Sequence, residues 1–153
     1  MLKLPGWRGI EAPSVSPKWL AVKDARVERH PLCVNMPSTH KWVRGNIIYK
    51  REAFNTDIWQ TPAQTLQTKV GDCEDICILE RALLIAAGYR SSDIEMLVVW
   101  DQLVKEYHAL LFVKEHYLDN RVQQVLHTSQ FRDYRPFMGY RDDQAFLYGR
   151  TTT

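Results

Sequence analysis

The residues of this chain best suited to chemistry are a cysteine, a histidine and an aspartate, in that order. Cys73 lies in the stretch Gly-Asp-Cys-Glu-Asp, His108 in Tyr-His-Ala-Leu-Leu-Phe-Val, and Asp119 in His-Tyr-Leu-Asp-Asn. A cysteine nucleophile needs a base to take its proton, and a carboxylate can hold that imidazole in one tautomer. Each residue alone also has an ordinary explanation, as a buried thiol, a core histidine or a turn residue. Their order and spacing favour a catalytic triad.

Cys73 is predicted to lie in the first turn of a helix. Apolar residues recur at helical spacing from Cys73 to Ala87, with Asp72 as the N-cap and Gly88 as the stop. The start of a helix carries partial positive charge, which favours a thiolate and lowers the pKa of a cysteine. We therefore expect Cys73 to be an activated thiol.

His108 and Asp119 are predicted to lie on neighbouring strands. The residue pattern indicates strands over 94–100, 107–113 and 116–118, with a tight turn at Lys114-Glu115. Strands joined by such short turns are antiparallel. A hairpin of this kind would place Asp119 beside His108.

Two shorter helices are expected upstream of Cys73. Apolar residues at helical spacing predict one over 39–51, with Ser38 or Thr39 as its cap. The second is predicted over 62–67, where Thr61 caps the helix and a proline takes the first helical position.

The ends of the chain give weaker patterns. Residues 1–40 hold five of the seven prolines and predict an irregular arm anchored by Trp7 and Trp19. The last thirty residues predict a wrapping tail with another short strand or helix. We expect a single domain over 1–153, with its core over 41–140.

Composition excludes several classes of protein. A chain of 153 residues that is 45% hydrophobic and 25% charged is globular, not disordered, and three cysteines make a disulfide scaffold improbable. The net charge of +2 gives no general attraction to nucleic acid or membranes. Charge is uneven, however, because residues 1–51 carry +7 and residues 52–120 carry −7. The N-terminus lacks the apolar stretch of a secretory signal, so we expect a cytoplasmic or phage-encoded protein, periplasmic only after removal of a signal.

Together these motifs resemble the bacterial transglutaminase-like cysteine proteinases (LapG-like). The resemblance covers roughly residues 40–140 and rests on Gly-Asp-Cys-Glu-Asp at 71–75, His-Ala-Leu-Leu-Phe-Val at 108–113 and Leu-Asp-Asn at 118–120. Upstream, the segment from Val43 to Tyr49 and the run Asp57-Ile-Trp-Gln-Thr-Pro62 are similar to the family's helix and Trp-x-Thr-Pro motif.

The resemblance implies a fold and a set of roles. The fold is the α+β papain-like core of transglutaminases, with the catalytic cysteine at a helix N-terminus packed on an antiparallel sheet. Cys73 is then the nucleophile, His108 the general base and Asp119 the orienting acid. The connection between the His and Asp strands is shorter than in the LapG-like branch, and the long N-terminal region of that branch is missing. Compact members of this superfamily resemble phage-encoded proteins with virion-associated roles.

The three carboxylates beside Cys73 have two explanations. Asp72, Glu74 and Asp75 stabilise a helix start, yet their negative charge should raise the pKa of the thiol. A bound calcium ion would remove that conflict, because oxygen-rich sites prefer calcium. The family is similar in using acidic residues of this motif for calcium, so we predict a site at these three residues.

A zinc site is the weaker metal hypothesis. Its candidate ligands would be Cys73, Cys77, His108 and His116, but the chain has no Cys-x-x-Cys spacing and its acidic flanks suit harder cations.

Other polar residues have more limited expectations. Trp59 or Gln60 could supply the second oxyanion donor beside the backbone N–H of Cys73, although core packing is the stronger expectation for Trp59. Cys33 and Cys77 are predicted to be packing residues. The remaining histidines, His30, His40 and His127, are predicted to lie at the surface.

The leading hypothesis is a cysteine hydrolase that cleaves a peptide or amide bond of a protein or peptide substrate through an acyl-thioenzyme. The alternative is a structural or interaction module on the same fold, such as a bacteriophage virion component in a larger complex, with little or no catalysis. Neither hypothesis requires a membrane, nucleic acid or a cofactor for the chemistry itself.

Overall fold

The computed structural model describes residues 2–51 and 58–151 as helices packed on an antiparallel sheet. The helices are α1 (Pro17–Val22), α2 (Met36–Asn46), α3 (Pro62–Thr68) and α4 (Cys73–Ala86). The strands are β1 (Trp7–Glu11), β2 (Ile48–Tyr49), β3 (Val70–Gly71), β4 (Ile94–Asp101), β5 (Glu106–Val113), β6 (His116–Leu118), β7 (Leu126–His127), β8 (Tyr134–Arg141) and β9 (Gln144–Arg150). Seven strands form the main sheet in the order β1-β9-β8-β4-β5-β6-β7, and β2 and β3 form a small parallel pair. The α+β class is confirmed.

Helix α4 lies at the centre of the molecule. Asp72 caps its start through a reciprocal capping box with Asp75, and Gly88 follows its end with a φ of 108°, which glycine adopts without strain. Eleven of its 14 residues are buried, since the helix is covered by the sheet as well as by α2 and α3. A helix buried on nearly every side holds its first residue in a fixed place.

The hairpins β4-β5 and β5-β6 match the sequence prediction closely. Lys114 takes the left-handed conformation, with a φ of 56°, in the turn before β6. Along β5, Ala109, Leu111 and Val113 pack on the α4 side, whereas Leu110 and Phe112 pack on the opposite side. The two faces of the sheet are thus separate cores, and only one of them contacts α4.

The predicted irregular arm is wrong in part. Residues 7–11 form β1, which pairs with β9 at the edge of the sheet, and residues 17–22 form α1. Because β9 is far from β1 in the sequence, no local pattern near residue 10 indicates this pairing. Of the two predicted anchors, Trp7 is partly buried, whereas Trp19 is 1% exposed and its indole N–H donates to the carbonyl of Asp142 at 2.7 Å.

The C-terminal tail is also more regular than expected. Strand β8 pairs with β4 along one side and with β9 along the other, so the last thirty residues complete the sheet. A bulge between Val98 and Val99 shifts the register of β8 against β4. The predicted short strand or helix is therefore a long hairpin, ordered by its distant partner.

The upstream helices differ in how well they were predicted. Helix α3 is confirmed, including its cap at Thr61. Helix α2 begins at Met36, earlier than predicted, because Asn35 forms a capping box with Ser38. It ends at Asn46, since residues 48 and 49 extend to pair with β3.

None of the helices in the described ranges has the length and apolar character needed to cross a bilayer.

Replacing Trp19 by alanine should lower the free energy of unfolding by about 3–5 kcal/mol. The indole fills the core between α1 and the β8-β9 hairpin, stacking on Tyr140 at 5.6 Å between ring centroids. The neighbouring Leu20 is 47% exposed, so Leu20→Ala should change the unfolding free energy by less than about 0.5 kcal/mol. Urea denaturation of both variants measures the difference, and equal effects would contradict this role of Trp19.

Candidate active site

His108 and Asp119 form a buried hydrogen-bonded pair. The Nε2 atom of His108 lies 2.7 Å from Oδ1 of Asp119, and the two residues are 2% and 1% exposed. Asp119 also accepts a bond from the backbone N–H of Arg121 at 3.0 Å and one from the Tyr134 hydroxyl at 2.7 Å. Burial opposes ionisation of this carboxyl, but the bonds outweigh it and hold the pKa of Asp119 below its usual value. An ionised Asp119 only accepts, so His108 carries its hydrogen on Nε2.

The pair sits where the sheet opens. Strand β6 bonds β5 only along 111–113 and ends at Leu118, so the next residue, Asp119, turns across the free edge of β5. His108 lies on the part of β5 that pairs with β4 but not with β6. The opening leaves room beside the strand for side chains from other elements.

Cys73 enters this opening from the start of α4. The backbone N–H of Ala109, the residue after His108, lies near the sulfur and acts to lower the pKa of the thiol. The Cys73 thiol donates to Oε2 of Glu74 at 3.3 Å. The structure therefore pairs His108 with Asp119 and places Cys73 against the strand that carries His108.

The second ring nitrogen of His108 has no protein partner. Within residues 2–51 and 58–151, its Nδ1 atom is buried and makes no hydrogen bond. Because Nε2 holds the hydrogen, Nδ1 presents a lone pair. A buried lone pair without a donor is costly and marks the nitrogen that is available to take a proton.

The electrostatics of Cys73 are opposite to the sequence prediction. Burial raises the pKa of this thiol well above its ordinary value, and the charges of Glu74 and Asp72 raise it further. The helix N-terminus and the Ala109 N–H favour the thiolate but do not overcome these effects. In the free protein the thiol is protonated at neutral pH, so attack requires a base.

Two of the three predicted calcium ligands support the backbone instead. Both carboxylate oxygens of Asp75 accept backbone N–H bonds, from Gln60 at 2.7 Å and from Asp72 at 3.1 Å. One oxygen of Asp72 accepts the N–H of Asp75 at 3.1 Å. In the part of the chain that the structure describes, no three histidine, cysteine or acidic side chains are arranged to hold a metal ion. Each Asp75 oxygen already accepts one backbone hydrogen bond, which makes Asp75 a less available calcium ligand than the sequence suggests.

Gly71 is required by the same arrangement. A Cβ atom at this position would lie 2.8 Å from the Cβ of Asp75, closer than carbon atoms pack. The Gly-Asp-Cys-Glu-Asp motif is therefore a structural unit: its glycine admits Asp75, and Asp75 holds the loop at Gln60 against the helix start.

The oxyanion candidates lie on that loop. Trp59 packs at the edge of the core that contains Cys73, and its ring centroid lies 5.7 Å from that of Tyr140. Core packing was the stronger expectation for this residue. Its buried indole N–H has no partner within the described ranges. Gln60 accepts a bond from Thr65 through its side-chain oxygen at 3.1 Å, which orients its amide group. Asp57, which begins the Trp-x-Thr-Pro run, lies outside the described residues.

The other two cysteines and the predicted zinc ligands form no metal-binding group among the described residues. All three cysteines are free, and Cys33 and Cys77 are buried at 0% and 4% exposure, in keeping with a packing role. His116 lies against His127, with ring centroids 5.4 Å apart. The predicted zinc ligands do not form a metal-binding group within 2–51 and 58–151.

The prediction that His40 lies at the surface is wrong. The residue is 0% exposed, and its ring nitrogens bond the Val122 carbonyl and the Glu80 carboxyl. Local polarity suggested exposure, but both partners are distant in sequence. Tyr134, which binds Asp119, was also missed, because nothing near residue 134 signals that contact. His127 is exposed as expected.

Asp75 should make the protein less stable as pH rises from about 4 to about 8. Burial raises the pKa of Asp75 from 3.8 to about 8, and the nearby charge of Asp72 adds to this. The folded state then binds the proton more tightly than the unfolded state, so its stabilising effect is lost through that window. Urea denaturation at pH 4.5 and pH 8 measures the loss. It should be smaller in Asp75→Asn, and an identical loss in both proteins would contradict this assignment.

Comparisons with known proteins identify the fold and the family. The solved structures that the chain matches include LapG from Legionella pneumophila, at 19% identity and a TM-score of 0.69, covering 78% of this chain and 71% of that one. A calcium-bound structure of that LapG matches at 20% identity with the same TM-score and coverage. An EGTA-treated structure matches at 18% identity and a TM-score of 0.69, covering 81% and 74%. These likenesses show the transglutaminase-like fold.

A comparison with the curated proteins gives no match. A family model described as bacterial transglutaminase-like cysteine proteinase matches residues 35–142, which include the helix of Cys73, the strand of His108 and the residue Asp119 that follows β6. The chain therefore belongs to the bacterial transglutaminase-like cysteine proteinases, a family of peptidases that act on protein or peptide substrates.

Proposed function

We propose that this protein hydrolyses a peptide bond through an acyl-thioenzyme, with Cys73 as nucleophile, His108 as base and Asp119 as orienting acid. The observation that carries the proposal is the His108–Asp119 bond of 2.7 Å. It leaves the buried Nδ1 of His108 without a donor, one residue from the backbone N–H that lies near the Cys73 sulfur.

The first step transfers the thiol proton to Nδ1 of His108 as the sulfur attacks the substrate carbonyl. The thiol of Cys73 is protonated because burial and Glu74 raise its pKa. The resulting imidazolium is stabilised by Asp119, whose pKa is held low by its three hydrogen bonds, so the carboxylate stays charged throughout. Asp119 thereby orients the ring and balances its charge.

The second step returns that proton to the leaving amine as the carbon–nitrogen bond breaks. Water, deprotonated by the same His108, then attacks the thioester and releases the acid product and the thiol. The tetrahedral oxyanion would accept hydrogen bonds from the backbone N–H of Cys73 and from a donor in the 59–60 loop. Each such donor contributes about 10²–10³ in rate. Gln60 is the better candidate, because Thr65 orients its amide, whereas Trp59 packs in the core.

The rival function is a binding or structural module with little catalysis, for example in a virion. What favours it is the state of Cys73, which is 8% exposed and has a raised pKa. A thiol of that kind reacts slowly unless a substrate or ion changes its surroundings. The two functions differ in whether Cys73 catalyses repeated rounds of hydrolysis.

Replacing Cys73 by alanine should abolish peptide hydrolysis, with a loss of at least about 10³ in kcat. Cys77→Ala is the matched control, since Cys77 is buried four residues later on the same helix and should retain activity. His108→Ala should fail as Cys73→Ala does, whereas His116→Ala should not. Mass spectrometry of new N-termini in a proteome-derived peptide mixture provides the assay, because it requires no known substrate.

Equal cleavage by wild type and Cys73→Ala would overturn the proposed function. Stoichiometric copies of the chain in a purified particle, without cleavage, would instead support the structural role.

We also propose that calcium acts at Asp72 and Glu74, the carboxylates on either side of Cys73, while Asp75 holds the backbone. The calcium-bound structure of Legionella LapG supports testing this in a chain of the same fold. A cation here would oppose the negative charge that raises the pKa of Cys73.

Calcium should raise the melting temperature and accelerate alkylation of Cys73 by iodoacetamide at pH 7, compared with EGTA. In EGTA, Glu74→Gln should itself speed alkylation, because the variant removes the adjacent negative charge, and it should weaken the response to calcium. Glu28→Gln, at an exposed position, serves as the control. If EGTA changes neither the melting temperature nor the alkylation rate, the calcium proposal fails.

A further inference from the structure

The loop that carries Asp119 is anchored on its sheet side by arginine. Residues 119–122, here called the acid loop, form a turn closed by the bond from Val122 N–H to the Asp119 carbonyl at 2.9 Å. The guanidinium of Arg121 donates to Asp101 and to Glu106, each at 2.7 Å. These carboxylates lie at the adjoining ends of β4 and β5.

The other side of the acid loop is anchored by helix α2. The Nε2 atom of His40 lies 2.6 Å from the carbonyl oxygen of Val122, and Nε of Arg44 donates to the carbonyl of Asn120 at 3.2 Å. His40 and Arg44 are four residues apart and so lie on one face of the helix. Two carbonyls of the loop are thus held by one helical face.

Glu80 of α4 orients His40. One of its carboxylate oxygens lies 3.2 Å from Nδ1 of His40, and the two residues are 1% and 0% exposed. A carbonyl only accepts, so Nε2 of His40 must carry a hydrogen. Nδ1 faces a carboxyl group, so a second hydrogen lies between it and Glu80. The ring can therefore hold Val122 only in one orientation.

A contribution to the stability of the fold does not by itself explain the buried pair of His40 and Glu80. A buried ion pair contributes little compared with apolar residues of the same volume, because desolvation offsets the attraction. Apolar residues, however, could not donate hydrogen bonds to the Val122 carbonyl and the Glu80 carboxyl at the same time. The pair therefore fixes the orientation of the acid loop, whose first residue, Asp119, binds His108.

We infer that His40, Arg44 and Glu80 form a buried brace that positions Asp119, and that the brace thereby selects the Nε2–H tautomer of His108. The catalytic consequence rests on the proposed function, whereas the tautomer of His108 does not. His40 and Glu80 are positioning residues, since neither touches Cys73 or His108 in the described structure.

The charge state of the brace is consistent with this role. Burial opposes a charged imidazole, but the bond to Glu80 and its charge outweigh burial and raise the pKa of His40. Burial raises the pKa of Glu80, partly countered by His40. The other groups whose charge acts on the pair are Arg44 on α2 and Asp119 itself. Both shifts favour the state in which the pair holds two hydrogens.

The test compares two replacements of His40. In His40→Gln the amide nitrogen keeps two hydrogens, one for Val122 and one for Glu80. In the double variant His40→Met with Glu80→Gln, the His40–Glu80 part of the brace is lost without leaving the buried Glu80 charge unpaired, and Arg44 still bonds Asn120. Nitrogen NMR of the His108 ring in labelled protein reports its tautomer, and exchange of its Nε2 proton reports the bond to Asp119.

The double variant should show a mixture of His108 tautomers and at least about tenfold faster exchange of the Nε2 proton, since exchange follows the population of broken bonds. If the protein is a peptidase, kcat should fall about tenfold with KM little changed, because the loss concerns geometry rather than substrate binding. His40→Gln should remain near wild type in both measurements.

A variant of equal instability separates positioning from folding. Leu84 is fully buried eleven residues from Cys73, about 16 Å along α4, so Leu84→Ala should lower the melting temperature without changing the His108 signals. The inference is overturned if the double variant keeps the wild-type tautomer and exchange rate, or if Leu84→Ala alters them equally. Peptidase activity in Cys73→Ala would instead overturn the proposed function, and the NMR measurements would still decide the brace.

Discussion

Helix α4 is buried on nearly all sides, and the position of every candidate catalytic group depends on that burial. Its apolar residues must be covered by the sheet and by α2 and α3, which leaves little freedom for its axis. The helix starts at Asp72, where the capping box with Asp75 satisfies its first N–H groups. Once axis and start are set, the Cys73 sulfur can only lie against β5, at the point where β6 has ended.

The same burial has an electrostatic consequence. A nucleophilic thiol would be most reactive as a thiolate, yet a dry helix start flanked by carboxylates raises the pKa of Cys73. Asp72 cannot simply be removed, because it caps the helix by accepting the backbone N–H of Asp75. The proposed mechanism therefore depends on a base with a fixed tautomer. In that mechanism the hydrogen bond between Asp119 and His108 fixes the tautomer and leaves Nδ1 to accept the thiol proton.

Prediction from sequence succeeded where the signal was local. Helix α4, the cap at Thr61 and the three strands from 94 to 118 are encoded by residues within a few positions of each element. Prediction failed for β1, whose partner β9 lies at the other end of the chain, and for α2, whose cap at Asn35 was overlooked. His40 was placed at the surface because its neighbours are polar, although its partners come from α4 and from the acid loop. A single polar side chain gives no sign of a distant partner that satisfies it.

The sequence by itself determined the family, the bacterial transglutaminase-like cysteine proteinases, and supplied the residues proposed for its chemistry: a cysteine opening a helix, a histidine on the following sheet and an aspartate just after the next strand. It also determined the helix start, because capping is a property of adjacent residues. Only the tertiary structure decided that the thiol is protonated, that both oxygens of Asp75 accept backbone hydrogen bonds, and that His40 supports the acid loop. These properties depend on burial and on the contacts of folded side chains, and both arise between residues that are far apart in the chain.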